Sequence, residues 1–216
     1  MGLLLALQWL RGNDMPLGAN KAALFGMGGV AAGDVILLDT FTAGGEASKA
    51  YTGFSSDYKQ LVWQFVNLHG SVTDTGMTFR AKTSAGAYGI STQSQAFRAW
   101  NRQDATSGTQ GLAYQAGADA LESTGQVPVS EIDLSFGQAE YAASGHMTLY
   151  NPTSSIYYKN WISRWAGTLN GTNRPTFGSF ISGYILEADA LDGVEFKFDS
   201  PTSNIDTGKI LYWGIK

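Results

Sequence analysis

No cysteine occurs in this chain of 216 residues. Disulfides, thiolate metal sites and cysteine nucleophiles are thereby excluded. Histidine is nearly as scarce, with two residues, His69 and His146, and no H-x-x-x-H spacing, so no metal site is expected. Charge is thin: Asp, Glu, Lys and Arg make up 15% of the chain, where about a quarter is usual in soluble domains. The net charge is −4, and basic residues such as Arg80, Lys82, Arg98 and Arg102 stand singly. Without a basic cluster, a nucleic-acid partner is not expected. The apolar opening GLLLALQWL is about nine residues, too short for a membrane span of about 20. It also lacks the basic start of a signal peptide, because the first arginine, Arg11, follows it. No G-x-S-x-G nucleophile elbow is present. The segment GMGGVAAG has neither a Lys-Ser/Thr partner nor the G-x-G-x-x-G frame, so phosphate binding and a cofactor are not expected.

What the chain does have is glycine, 27 residues, and aromatics, with 6 Trp, 10 Tyr and 11 Phe. Ser, Thr and Asn crowd the gaps between apolar runs. Solubility from hydroxyls and amides suits either a β-rich domain or a subunit that hides its surface in an assembly. Alternation with a period of two, the mark of a half-buried strand, is strongest at the C-terminus. Val194, Phe196 and Phe198 oppose Glu195, Lys197 and Asp199; Ile210 and Tyr212 oppose Lys209, Leu211 and Trp213. The turn-rich SPTSNIDTG between them predicts a terminal hairpin. Residues 58–69 form the most apolar run, with Leu61, Trp63 and Phe65 on one side and Val62, Val66 and Leu68 on the other. That predicts a central strand covered on both faces. Further strands are expected over 34–42, 77–82, 94–103, 131–136, 146–150, 157–165 and 180–187. About nine short strands, separated by turn signals, predict an all-β antiparallel sandwich, jelly-roll-like.

The sandwich is expected over residues 34–216. Residues 1–33 read as an irregular or short-helical attachment arm, because Gly18, Gly26, Gly28, Gly29 and Gly33 interrupt any helix. Leu4, Leu7, Trp9 and Phe25 are its candidate contacts with a virion. Met15 reads as a natural start, which would make 1–14 an upstream extension or a packing peptide.

Three stretches carry a resemblance. They are the ending GVEFKFDSPTSNIDTGKILYWGIK, the entry SSDYKQLVWQFVNLHG, and the mid-chain SGHMTLYNPTSS with its Tyr-Asn-Pro turn. In this order they resemble β-sandwich domains of tailed-phage virion proteins, over roughly residues 51–216. The resemblance implies a structural protein of the virion, of tail-fibre or appendage type. It implies other virion proteins as partners, a homo-oligomer (most often a trimer) and a role at the host surface. It brings no catalytic residues.

Within the residues themselves, three kinds of site compete. Tyr157, Trp161 and Trp165 share one face of an expected strand, with Arg174 near in sequence. They are either a platform for a host-surface glycan or core. The acidic residues Asp104, Asp119, Glu122, Glu131, Glu187, Asp189 and Asp192 are candidates for a carboxylate pair. Acidic turn residues are more often solvated or capping. The polar stretch 104–126, with a short helix expected near 114–122, is a candidate partner loop. The expectation is a non-enzymatic virion module, with a head-decoration (cement) protein and a free carbohydrate-binding lectin as alternatives.

Overall fold

The structure, a computed structural model, describes residues 33–102, 110–136, 138–169 and 175–216. The chain divides into two compact units, Met1–Ile36 and Leu37–Lys216. The described residues of the first are 33–36, where a strand begins. The described strands are β1 (Val35–Thr42), β2 (Lys49–Thr52), β3 (Gln60–Gly70), β4 (Met77–Thr83), β5 (Thr92–Asn101) and β6 (Gln110–Tyr114). They continue with β7 (Val127–Pro128), β8 (Ala143–Tyr150), β9 (Lys159–Thr168), β10 (Thr176–Ile185), β11 (Leu191–Phe198) and β12 (Ile205–Ile215). The arm contacts Leu4, Leu7, Trp9 and Phe25 lie outside the described residues, as do Arg174 and Asp104.

Two antiparallel sheets pack as a sandwich. The larger has the order β1-β12-β3-β8-β9-β10-β5-β6 and the smaller β2-β11-β4-β7. From β2 to β5 each connection carries the chain to the opposite sheet; so do β6 to β7, β7 to β8, β10 to β11 and β11 to β12. This repeated crossing is the wrapping of a jelly roll, with the meander β8-β9-β10 filling the middle of one wall.

The crossing corrects one expectation. The terminal alternations are real, with Val194, Phe196, Phe198 and Ile210 almost fully buried. The two strands do not form a hairpin, however. β11 pairs with β2 and β4, whereas β12 pairs with β3. Both sheets need their inner faces covered, and one apolar strand on each wall buries both.

β3 also departs from expectation. It is central, between β12 and β8, but only one face is covered. Leu61, Trp63 and Phe65 are buried, Gln64 is exposed, and Val62 and Val66 are half-buried. A bulge then shifts the phase: register with β8 slips between Phe65 and Leu68, and with β12 between Thr207 and Lys209. Asn67 takes φ 48° there, and its N–H donates to Ser144 Oγ at 2.9 Å. Gly208, at φ 107°, faces it, and a Cβ there would lie 2.5 Å from the Asn67 carbonyl oxygen. The extra residue returns Leu68 to the inside.

Aromatic rings fill the space between the sheets. Trp63 stacks on Tyr212 with centroids 5.2 Å apart and meets Phe196 edge-on at 5.3 Å. Phe65 stacks on Trp165 at 4.5 Å, and Phe79 meets Trp161 at 5.0 Å. Burial raises the Tyr51 and Tyr212 phenols far above their ordinary range, so both stay neutral. Among the described residues, no helix is long and apolar enough to cross a membrane.

Candidate functional site

Of the two readings of Tyr157, Trp161 and Trp165, platform or core, the two tryptophans are core. β9 begins at Lys159, so Tyr157 lies before it, 69% exposed, while Trp161 and Trp165 are 1% and 4% exposed. The two tryptophans are core, against Phe79 and Phe65. Trp165 Nε1 donates to Ser163 Oγ at 2.9 Å, and that hydroxyl donates to the Val129 carbonyl at 2.6 Å. This short polar chain ties β9 to the segment after β7. Trp161, Trp165 and Tyr157 therefore do not form one glycan surface.

The carboxylates are likewise dispersed. Asp119 accepts from Tyr114 Oη at 2.6 Å and from the Ala96 N–H at 3.1 Å. Asp192 pairs with Lys82 at 3.4 Å. Glu187 and Asp189 belong to a turn whose carbonyls are gathered by Lys159. Where a strand was expected over 131–136, the chain is irregular, with isolated bridges from Leu134 to Thr75 and to Leu169. Glu131 there is 1% exposed and pairs with Arg98 Nη1 at 3.0 Å, with Asp133 at 3.8 Å from the same nitrogen. Burial raises the Glu131 carboxyl above its ordinary range, and Arg98 only partly offsets this.

That shift has a definite sign. A carboxyl whose native pKa lies above its unfolded value binds its proton first in the native state. Stability then rises as pH falls through the native pKa and levels off below the unfolded one. In urea titrations, the stability of wild type minus that of Glu131→Gln should grow as pH falls from about 7 to about 5. A difference that is flat or shrinks would show that the pair with Arg98 outweighs the burial.

The two histidines do not meet. His69 Nδ1 lies 3.6 Å from Asp206 near one end of β3. His146 pairs across the sheet with Gln64, five residues from His69, or about 16 Å along a strand rising roughly 3.3 Å per residue. No group of three metal-binding side chains occurs among the described residues.

The long stretch 104–126 is partly strand. β6 runs along β5, and a single 3-10 turn at Ala116–Ala118 stands where a helix was expected. β6 is the edge of the larger sheet and carries exposed Leu112 (72%) and Tyr114 (61%), beside Phe97 (46%), which stacks on Phe180 at 5.2 Å.

The remaining candidate was not found from sequence. The outer face of the larger sheet carries, in one cross-strand row, Leu211, Gln64, His146, Arg164, Phe180, Phe97 and Tyr114. Over β12, β3, β8 and β9 this face sinks into a groove of about 650 Å³. Trp213, Val62 and Val66 give it apolar walls; Gln64, His146 and Arg164 give it polar ones. Among the described residues no carboxylate lines it. Asp206, on the same strand as Trp213, sits at the far end of β12 against His69. Glycine at 145 lets Trp165 close the floor, since a Cβ there would lie 2.5 Å from the indole. Arg164 lies over the Phe180 ring at 5.3 Å. Burial, with the Arg164 charge added, lowers the His146 pKa, so the imidazole is neutral at pH 7. In the sequence Arg164 only stands in opposite phase to Trp161 and Trp165, which does not say which way it points. Only the register of two hydrogen-bonded ladders brings it and His146 side by side with Gln64.

Set against known protein families, curated proteins and solved structures, the chain matches none.

Proposed function

We propose that this chain is a non-enzymatic structural module of a tailed-phage virion, of tail-fibre or appendage type, that self-associates through the β5–β6 end of its larger sheet. The observation that carries the association is the exposed apolar set Phe97, Leu112, Tyr114 and Leu121 beside β6, which is the outermost strand of the larger sheet among the described residues. A contiguous apolar patch and a free edge both favour pairing with another chain. A second copy is the occupant that fits, because β6 of one chain can extend the sheet of the next while the same rings cover each other. The thin charge of the whole chain supports the same reading. The virion setting rests on the three sequence stretches that resemble tailed-phage sandwiches.

Sedimentation of the purified chain at micromolar concentration tests the association. A stable oligomer is expected, and Leu112→Glu with Tyr114→Glu should convert it to monomer without loss of strand signal. A wild-type monomer would overturn the association. Antibody labelling of intact particles tests the setting. Label on tails supports the appendage reading, label on heads favours a decoration protein, and unlabelled particles overturn both.

A further inference from the structure

We infer that the groove over β12, β3, β8 and β9 binds a carboxylate-bearing sugar of an acidic polysaccharide. Its lining supplies each kind of contact that such a sugar needs. A pyranose presents C–H bonds on one face, and Trp213, with Val62 and Val66, offers an apolar wall whose π-face attracts them. Ring hydroxyls both donate and accept. The Gln64 amide and a neutral His146 imidazole do the same, and both line the groove. A carboxylate takes two parallel N–H bonds from a guanidinium. Arg164 has no carboxylate partner among the described residues and is steadied by the Phe180 ring.

The charge around the groove sets the sign of the ligand. The chain as a whole is acidic, at −4, yet among the described residues the groove is lined by Arg164 and by no carboxylate. Lys209 stands on the same outer face of β12, in phase with Leu211 and Trp213. Asp206 is five residues from Leu211 along that strand, about 16 Å at the usual rise, and faces His69 instead. The single guanidinium beside a neutral imidazole matches a monoanion. A phosphate group is usually held by several cations or by a nest of backbone N–H groups, and the groove has strand backbone, whose N–H groups are spent on the ladders. The volume suits a small-ligand site, typically about 300–1,000 Å³. This inference stands apart from the virion reading, because the groove lies toward β12 while the proposed self-association uses β5 and β6.

Titration calorimetry on the full chain tests it, with tetrasaccharides of glucuronate, galacturonate and mannuronate, sialyllactose, a neutral glucan tetramer and a sulfated hexose oligomer. At least one carboxylated probe should bind, and at least tenfold more tightly than the neutral glucan. Arg164→Met should remove that preference, and Trp213→Ala should weaken every saccharide at least tenfold. Lys197→Met, on the other sheet, should change nothing. If Trp213→Ala does not fold, Trp213→Phe and Arg164→Met carry the test. Failure of every carboxylated probe to bind at millimolar concentration would overturn the inference. So would binding of the sulfated probe alone, or binding that Arg164→Met leaves intact. The sedimentation result is independent of all these outcomes.

Discussion

Trp63→Ala should lower stability by about 3–5 kcal/mol, as large-to-small changes at buried aromatics do. For a domain near 200 residues that is a fall in Tm of roughly 6–20 °C, at about 2–4 °C per kcal/mol. The size follows from position. Trp63 is fully buried at the centre of β3, the strand held by β12 on one side and β8 on the other. Its ring contacts both walls: Tyr212 on its own sheet and Phe196 and Tyr51 on the smaller one, at 5.2, 5.3 and 6.0 Å. Removing it opens a hole between the sheets that rigid ladders cannot close. Trp63→Phe should cost much less, because a ring remains and the indole N–H, buried with no hydrogen-bond partner among the described residues, is removed. Thermal and urea unfolding of the two variants measures this. A loss below about 1 kcal/mol for Trp63→Ala would mean that the sheets do not pack through this ring.

What the sequence made legible was local. Alternation at 194–198 and 209–213 sorted buried from outward residues correctly, because the period of two is a property of one strand. Partners are another matter. The terminal pair read as a hairpin because the connector is rich in turn residues, but a turn and a crossing between walls use the same residues. The choice depends on which inner face lacks cover, a property of the whole domain. The bulge at Asn67 was equally hidden: one inserted residue reverses every later position, and it shows only in the register slips against β8 and β12 and in the φ values of Asn67 and Gly208. The groove was illegible for the same reason. Gln64, His146, Arg164 and Trp213 are scattered over roughly 150 residues of sequence and become neighbours only through register. The tryptophans of β9 could be read as platform or core because alternation defines a face without saying which way it points.

The same face held a clue in Lys159, which shares the phase of Trp161, Ser163 and Trp165. A lysine in step with core tryptophans is either the strand's exit to solvent or a buried cation, and here it is fully buried. Its ammonium donates to the carbonyls of Glu187, Ala188 and Asp189 at 2.9, 2.7 and 2.6 Å. These belong to the turn between β10 and β11, where the chain leaves one wall for the other. Three acceptors match the three N–H bonds of an ammonium. Burial lowers the Lys159 pKa, while the charges of Glu187 and Asp189 partly restore it. Lys159→Met keeps the length of the side chain and removes the donors, which leaves three converging carbonyls unpaired. A loss of about 3 kcal/mol is expected, the size seen when one partner of a buried polar cluster is removed. That corresponds to roughly 6–12 °C in Tm. Lys159→Arg should recover little, because a planar fork cannot aim three N–H bonds at one apex. Amide exchange in residues 186–191 should quicken in both variants, since the turn loses its anchor before the sandwich opens. If Lys159→Met were neutral with protection unchanged, the three carbonyls would have to be satisfied by solvent, and the lysine would be a passenger in the core.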